Sequence, residues 1–326
     1  YGGLGSFGAH GYTPSAIKDI IAELRSMTGK PFAMNLWVSM EDAGAKTSDE
    51  AAFNRSLATI APLIQSLGAP LPTYKPYAPI KFEDQAKVLI DANVPAFSFI
   101  FGIPPKEILD ECRAKGIVTI GAATTPDEAI ELQKANVDVI AASGFEAGGH
   151  RGSFLRASED SLTGTFSLVP QIVDRVSAPV VAAGGIADAR GIVAALALGA
   201  AGVQIGTAFL ACEESGASLA HRQAILSGKA DHTTLTRGFT GRLARGIKNQ
   251  LLDTMNSPGV EILPYPLQRY LMRSVSAPAE KSGRSELIPM WAGQSAKLAR
   301  HTKAVELLNA LVSGVSKLIR NDTPIS

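Results

Sequence analysis

The sequence predicts an α/β protein built on a TIM-type (β/α)8 barrel, with a smaller helical subdomain inserted before the C-terminal helix. Three observations predict it. Short apolar runs alternate with helical patterns along the first two thirds of the chain. The runs are apolar throughout instead of alternating with polar residues, as in parallel strands buried on both faces. The richest glycine loops follow the last two runs, where barrels often hold a phosphate, and no Gly-x-Gly-x-x-Gly fingerprint follows the first.

The strand runs are GLGSF (4–8), FAMNL (32–36), AFSFI (96–100), VTIGA (118–122), VDVIAAS (137–143), PVVAAGG (179–185) and GVQIGTAFL (202–210). Seven runs leave a barrel one strand short. The chain opens abruptly on YGGLGSFG, so the first strand is expected upstream, and PVVAAGG and GVQIGTAFL become strands 7 and 8. Helix starts are legible between the runs. Thr13-Pro14 supplies an N-cap and a proline at the first helical position. Thr125-Pro126-Asp127-Glu128 does the same and sets Glu128 where a capping box needs it. Ile108, Leu109 and Cys112 share one helical face in 104–115, and Gly116 ends that helix.

The alternation stops near residue 211. Residues 213–260 have a polar, helical texture, 273–287 read as a loop, and 296–320 read as one long helix with Val305, Leu308, Val312, Val315 and Ile319 in 3-4-3-4 spacing. The expected organisation is a barrel over 1–212, a helical substrate-side subdomain over 213–287, and a segment over 288–326 that returns to the barrel.

Composition narrows the function. Hydrophobic residues make up 46% of 326, enough for a large core, and a net charge of +1 gives no bulk attraction to nucleic acid or an anionic membrane. The apolar runs are too short to span a bilayer. Cys112 and Cys212 have neither disulfide-framework nor metal-ligand spacing, which suits a reducing cytoplasm. No metal site is expected, and a homo-oligomer is left open.

The chemistry concentrates in three glycine loops. Gly184-Gly185 ends strand 7, and Gln204-Ile205-Gly206-Thr207 lies in strand 8. Glycines let backbone N–H groups reach phosphate oxygens, and Thr207 adds a hydroxyl. Beside them, after strand 6, stands GFEAGGHRGSF (144–154). Gly148-Gly149 would let the backbone run against a ligand, with His150 as proton acceptor or cationic donor to an anion, and Glu146 either orients it or is a surface or core-edge carboxylate. His10, His221, His232 and His301 lack that setting. Asn35 could reach a ligand or sit in a turn, Tyr74 and Tyr77 could wall a pocket or pack in a loop, and packing is the default reading for Trp291 and Gln294. Arg237, Arg242 and Arg245 either attract an anion or solvate the subdomain. No strand-end lysine or G-x-S-x-G elbow supplies a nucleophile, so the phosphate-bearing ligand is expected to be a cofactor.

The motifs EAGGHRGSF, AAGGIADARGIVAALALGAAGVQIGTAFL and LTRGFTGRLARG, in that order, resemble the nitronate monooxygenase family, formerly the 2-nitropropane dioxygenases, and its bacterial class I branch in particular. The resemblance covers nearly the whole chain. It implies an FMN-containing barrel that oxidises alkyl nitronates, notably propionate 3-nitronate, with O2 to a carbonyl compound and nitrite, a detoxification that needs no NAD(P)H. It carries FMN contacts onto Asn35, Gly148, Gly185 and Gln204 to Thr207, and the active-site histidine onto His150. Ser143 stands where the family has a glutamine, with shorter reach toward the flavin, and the family's Gln-Ala-Pro-Met first strand is absent from the chain. Together with the glycine reading, the expected flavin contacts are Asn35, Ser143, Gly148, Gly149, Gly184, Gly185, Gln204, Ile205, Gly206 and Thr207. Three alternatives stay open: an FMN-dependent NAD(P)H reductase of the enoyl-acyl-carrier-protein or quinone type, a flavin-free barrel isomerase or lyase, and a non-catalytic flavin-binding protein.

Overall fold

The computed structural model describes residues 2–76 and 80–320. Its strands in chain order are β1 (Gly5–Gly8), β2 (Phe32–Trp37), β3 (Ala96–Ile100), β4 (Val118–Ala123), β5 (Val139–Ser143), β6 (Gly149–His150), β7 (Val180–Ala183), β8 (Gly202–Gln204), β9 (Thr233–Thr236) and β10 (Ala244–Ile247). Seven of them form one parallel sheet in the order β1-β2-β3-β4-β5-β7-β8. The sheet follows chain order, with only the two-residue β6 of another sheet lying between β5 and β7, and each crossover carries a helix. That is barrel order, and it excludes a doubly wound sheet, whose strand order reverses. β1 and β8 are the two edges of this sheet.

All seven predicted runs form strands because their apolar side chains are covered on both sides. Met34, Leu36, Phe97, Phe99, Ile140 and Val180 are buried in one continuous core. The register aligns the C-terminal ends. Gly8 lies opposite Asn35 and Asn35 opposite Ser98, while Ser143 lies opposite Ala183 and Ala183 opposite Gln204. Two rows of predicted or polar strand-end residues are thereby brought to one rim.

The two predicted N-caps form. Thr13 Oγ1 accepts from the Ala16 N–H at 3.3 Å, and Thr125 Oγ1 from the Glu128 N–H at 3.2 Å. The expected capping box does not close. The buried Glu128 carboxylate accepts instead from the N–H and hydroxyl of Thr124 at 2.6 and 2.7 Å, and its other oxygen from the N–H groups of Phe154 and Leu155 at 2.6 and 3.2 Å. Glu128 thus ties the end of β4 to the chain that follows His150.

Four expectations about the second half change. In GVQIGTAFL the strand ends at Gln204 and a short helix, Thr207–Leu210, begins after the turn at Gly206. The 213–260 stretch contains the antiparallel pair β9–β10 as well as helices Leu219–Leu226 and Gln250–Met255. Of the three arginines read as either attracting an anion or solvating the subdomain, Arg242 and Arg245 are 6% and 2% exposed and solvate no surface. The predicted loop at 273–287 is largely helix, Leu267–Lys281, because Leu267, Leu271, Val275 and Ala279 form a buried ridge at four-residue spacing that starts upstream of the loop-like segment. The last helix begins at Ala304, not 296, and packs on helix Ala189–Ala197 through Leu307 and Leu311. Gly314 allows that approach, since a Cβ there would stand 2.6 Å from Ala189 Cβ. The 3-4-3-4 stripe faces largely away, with Val305, Val312 and Ile319 exposed.

A second core collects Phe53, Ile60 and Ile64 from helix Glu50–Ser66, in the β2–β3 crossover, with Leu251, Leu252, Leu271, Val275, Leu287 and Met290. It roofs the same rim of the sheet. Because the buried Glu128 carboxylate accepts from four donors, two of them on buried Thr124, Glu128→Ala is expected to lower unfolding free energy by about 3 kcal/mol. Thr125→Ala, which removes only a cap, is expected to cost about 1 kcal/mol. Urea denaturation monitored by circular dichroism measures both.

Candidate active site

A cavity of about 430 Å³ opens at the rim. Its wall includes the predicted Asn35, Ser143, Gly148, His150, Gly184, Gly185, Gln204, Gly206 and Thr207. The predicted Gly149 and Ile205 do not line it. Gly149 is part of β6, opposite Arg245 of β10, and the Ile205 side chain packs against both cores. Sequence reasoning missed Ser6, Gly8, His10, Trp37, Ser98, Gly293 and Ser295, and it assigned Trp291 to packing; all line the cavity. Among the described residues, no Lys, Arg, Asp or Glu side chain is part of the wall. Among the described residues, no cluster could hold a metal ion and no helix is long and apolar enough to cross a membrane.

His150 is positioned by pairing. β6 joins β10 antiparallel, with His150 opposite Ala244, and the Arg151 N–H donates to Leu243 O at 2.9 Å. His150 Nε2 lies 2.8 Å from Thr240 Oγ1, and the ring edge rests on Trp37 and Trp291, with centroids 4.8 and 5.1 Å apart. Glu146 does not orient His150. Its carboxylate accepts from the N–H and hydroxyl of Thr165 at 2.8 and 2.9 Å, at the start of helix Thr165–Val173, where the exposed N–H groups attract it. The neighbouring Arg151, fully buried, donates from Nη1 to Ser143 O and Gly144 O at 3.1 and 2.5 Å and from Nη2 to Ser161 O at 2.8 Å. It braces the end of β5 under the loop.

The histidine loop is closed from above by residues 291–295. The Gln294 N–H donates to Glu146 O at 2.9 Å, and the Gly293 N–H to Thr207 Oγ1 at 3.0 Å. His221 Nε2–H donates to Trp291 O at 2.8 Å and anchors the strap from outside. Gly148 is glycine for this packing, since a Cβ there would lie 2.5 Å from Gly293 N and 2.6 Å from the Ala292 carbonyl carbon. Gly184 and Gly185 adopt φ of +102° and +72°, open only to glycine without strain. At Gly206 a Cβ would meet nothing within 4 Å.

Electrostatics set the protonation of the site. Burial first, then His10, Arg242 and Arg269 nearby, pushes the His150 imidazole down to about 3. Burial, then Arg269 and Arg242, does the same to His10, also to about 3. Both rings are therefore neutral near pH 7. Arg242 sits behind the aromatic wall, with its guanidinium carbon 5.4, 4.2 and 4.5 Å from the ring centres of Trp37, Phe101 and Tyr265, and it pairs with Asp42 at 2.9 Å. Arg245 is buried over Phe145 and donates to Phe145 O, while Arg237 pairs with Glu159. None of the three arginines lines the cavity. Tyr74 is also remote, its hydroxyl on Ser48 O, and Tyr77 lies outside the described residues.

The nitronate monooxygenase family profile matches residues 1–314. The chain belongs to the nitronate monooxygenase family. Members of that family are oxidoreductases, and this chain is an enzyme of that kind. It is 41% identical over 320 residues to a probable nitronate monooxygenase of Staphylococcus haemolyticus, covering 98% of this chain and 88% of that one. A probable nitronate monooxygenase of Staphylococcus aureus strain Newman is 39% identical, with 98% and 89% covered. Among solved structures, a nitroalkane oxidase from Streptomyces ansochromogenes superposes with a TM-score of 0.88 at 34% identity, covering 97% of this chain and 89% of that one. FabK from Thermotoga maritima reaches 0.73 at 28% identity, with 98% and 86% covered. These likenesses agree with the barrel derived from the strand order.

In this family member two neutral imidazoles share one cavity, and that has a consequence for stability. An unfolded histidine takes up a proton near pH 6.5, while the folded one refuses it until about pH 3. The unfolded state therefore binds more protons across that window, and stability is lost progressively as pH falls from about 6.5 toward 3. Urea midpoints are expected to drop between pH 7 and 4, with a shallower drop in His10→Phe. An equal slope in wild type and variant would contradict the assignment.

Proposed function

We propose that this enzyme is FMN-dependent and oxidises alkyl nitronates, propionate 3-nitronate among them, with O2 to a carbonyl compound and nitrite, without NAD(P)H. The observation that carries this reading is the environment of His150. It is a neutral imidazole in an aromatic, uncharged wall, backed by the positive charge of Arg242 and Arg269. Such a wall suits an anionic nitro group that needs orientation more than deprotonation.

The residues present fit FMN. Gly184, Gly185 and Gly206 form a cradle without side chains, and Thr207 Oγ1, which accepts from Gly293, keeps its own O–H to donate to a phosphate. Asn35 Nδ2 donates to Ser98 Oγ at 2.9 Å, leaving Oδ1 to accept from a flavin N–H. The Gln204 amide and the Ser143 hydroxyl make no hydrogen bond among the described residues and remain available. When bound, FMN would supply the redox chemistry, taking reducing equivalents from the substrate and delivering them to O2.

His150 does the protein's part. Its Nε2 is committed to Thr240, which leaves Nδ1 for a ligand. The Thr240 hydroxyl also lies 3.3 Å from Arg242 O. When it donates to Nε2, Nδ1 carries the proton and hydrogen-bonds a nitronate oxygen. When it donates to Arg242 O, Nε2–H donates to Oγ1 and Nδ1 becomes an acceptor able to take a Cα proton from a neutral nitroalkane. Trp37 and Trp291 hold the ring and keep water from it.

An NAD(P)H reductase has weaker support, because the superposition on FabK is poorer than that on the nitroalkane oxidase. Anaerobic mixing of the yellow protein with propionate 3-nitronate, and separately with NADH and NADPH, decides between them by flavin absorbance. The expected result is bleaching by the nitronate alone; bleaching by a nicotinamide alone would overturn the proposal. His150→Leu is expected to lower kcat/KM for a nitroalkane about 10²-fold or more.

A further inference from the structure

The cavity holds a second histidine whose hydrogen bonding is set differently from that of His150. His10 follows β1, and its ring stacks flat on Trp37, with centroids 3.9 Å apart and planes within 4°. Arg269, from helix Leu267–Lys281, approaches behind it, with Nη1 3.4 Å from His10 Nε2 and 3.3 Å from Tyr265 Oη. Gly11, at φ +81°, turns the chain beside it, and a Cβ there would be in ordinary contact with Arg269 Nη1 at 3.5 Å. The guanidinium makes no ion pair among the described residues.

A guanidinium can only donate, so His10 Nε2 must accept. The single ring proton of the neutral imidazole is then on Nδ1, which has no hydrogen-bond partner among the described residues while the residue lines the cavity. His150 is free in this respect, because its partner Thr240 can either donate or accept.

We propose that His10 is a substrate-binding residue, held by Arg269 as a permanent Nδ1–H donor to the planar anionic group of the substrate. His150 is left free to carry or accept a proton. The proposal rests on the nitronate-oxidising reading and sharpens it: His10 is a fixed donor to the anion, and of the two imidazoles only His150 can also move a proton. Arg269 is the positioning residue. It fixes the tautomer and adds positive charge behind a ring that itself stays uncharged.

The test uses FMN-loaded protein and butanoate, whose carboxylate matches the shape of a nitro group and is not oxidised. His10→Phe keeps the stack on Trp37 and removes the donor, while His10→Asn restores an N–H near the Nδ1 position. Expected are butanoate binding about tenfold or more weaker in His10→Phe, by calorimetry, and substantial recovery in His10→Asn. For the nitronate, KM rises by a similar factor with kcat little changed, and FMN affinity is unaltered. Nitrogen-15 spectra of histidine-labelled wild-type protein should show His10 as the Nδ1–H tautomer, and Arg269→Met should release it to a mixture. An Nε2–H tautomer in the wild type, butanoate binding unaffected by His10→Phe, or loss of FMN in place of butanoate would each overturn the proposal. If the wild type fails to oxidise nitronates, the proposed function falls, and the butanoate and tautomer measurements still judge His10.

Discussion

The contact on which the site depends is a backbone seam between the histidine loop and the strap at 291–295. Gln294 N–H on Glu146 O, Gly293 N–H on Thr207 Oγ1, and the bare Cα of Gly148 against Ala292 and Gly293 bring three stretches of chain together. One follows β5, one follows β8, and one returns from the second core. Without the seam, β6 would be two residues of loop beside β10, and the His150 ring would lose the Trp291 face. The barrel supplies the rim; the second core supplies the roof that converts the rim into a cavity.

Cations hold this assembly, but none enters the cavity wall. Arg151 braces β5 through three carbonyl bonds, Arg242 is caged by aromatic rings and Asp42, and Arg245 lies on Phe145. Carbonyls take most of the buried guanidinium donors where carboxylates are absent, although Arg151 Nε and Arg245 Nη2 have no partner among the described residues. Burial has left its mark, lowering Arg151 to about 10. The result is a wall of neutral groups within a positive surrounding, which favours an anionic ligand without binding it to a fixed ion pair.

The parallel strands were legible in the sequence because burial on both faces leaves an unbroken apolar run, and such a run keeps its meaning in any barrel. The caps at Thr13 and Thr125 were legible because they are local. What escaped prediction depends on distant partners. β9 and β10 are four residues each, and Ala244–Ile247 carries an arginine that looks solvated until Phe145 and Thr233 are beside it. The glycine at 148 was legible as a close approach, but its neighbour is the 292–293 backbone, more than 140 residues away in the chain. Glu146 stands four residues before His150, a helical spacing without meaning in a loop. His10 was set aside as lacking the setting of His150, although GAHG follows a strand just as GGHRG does; the signal that marks it is its place at the end of β1, beside Gly11.

The seam is tested most directly by amide hydrogen exchange in wild type and Gly148→Ala. The added methyl group would displace Gly293, and the account predicts fast exchange at Gly293, Gln294 and Arg151, with the β3 and β4 amides still protected. Unchanged protection at Gly293 and Gln294, or uniform loss across the barrel, would contradict it.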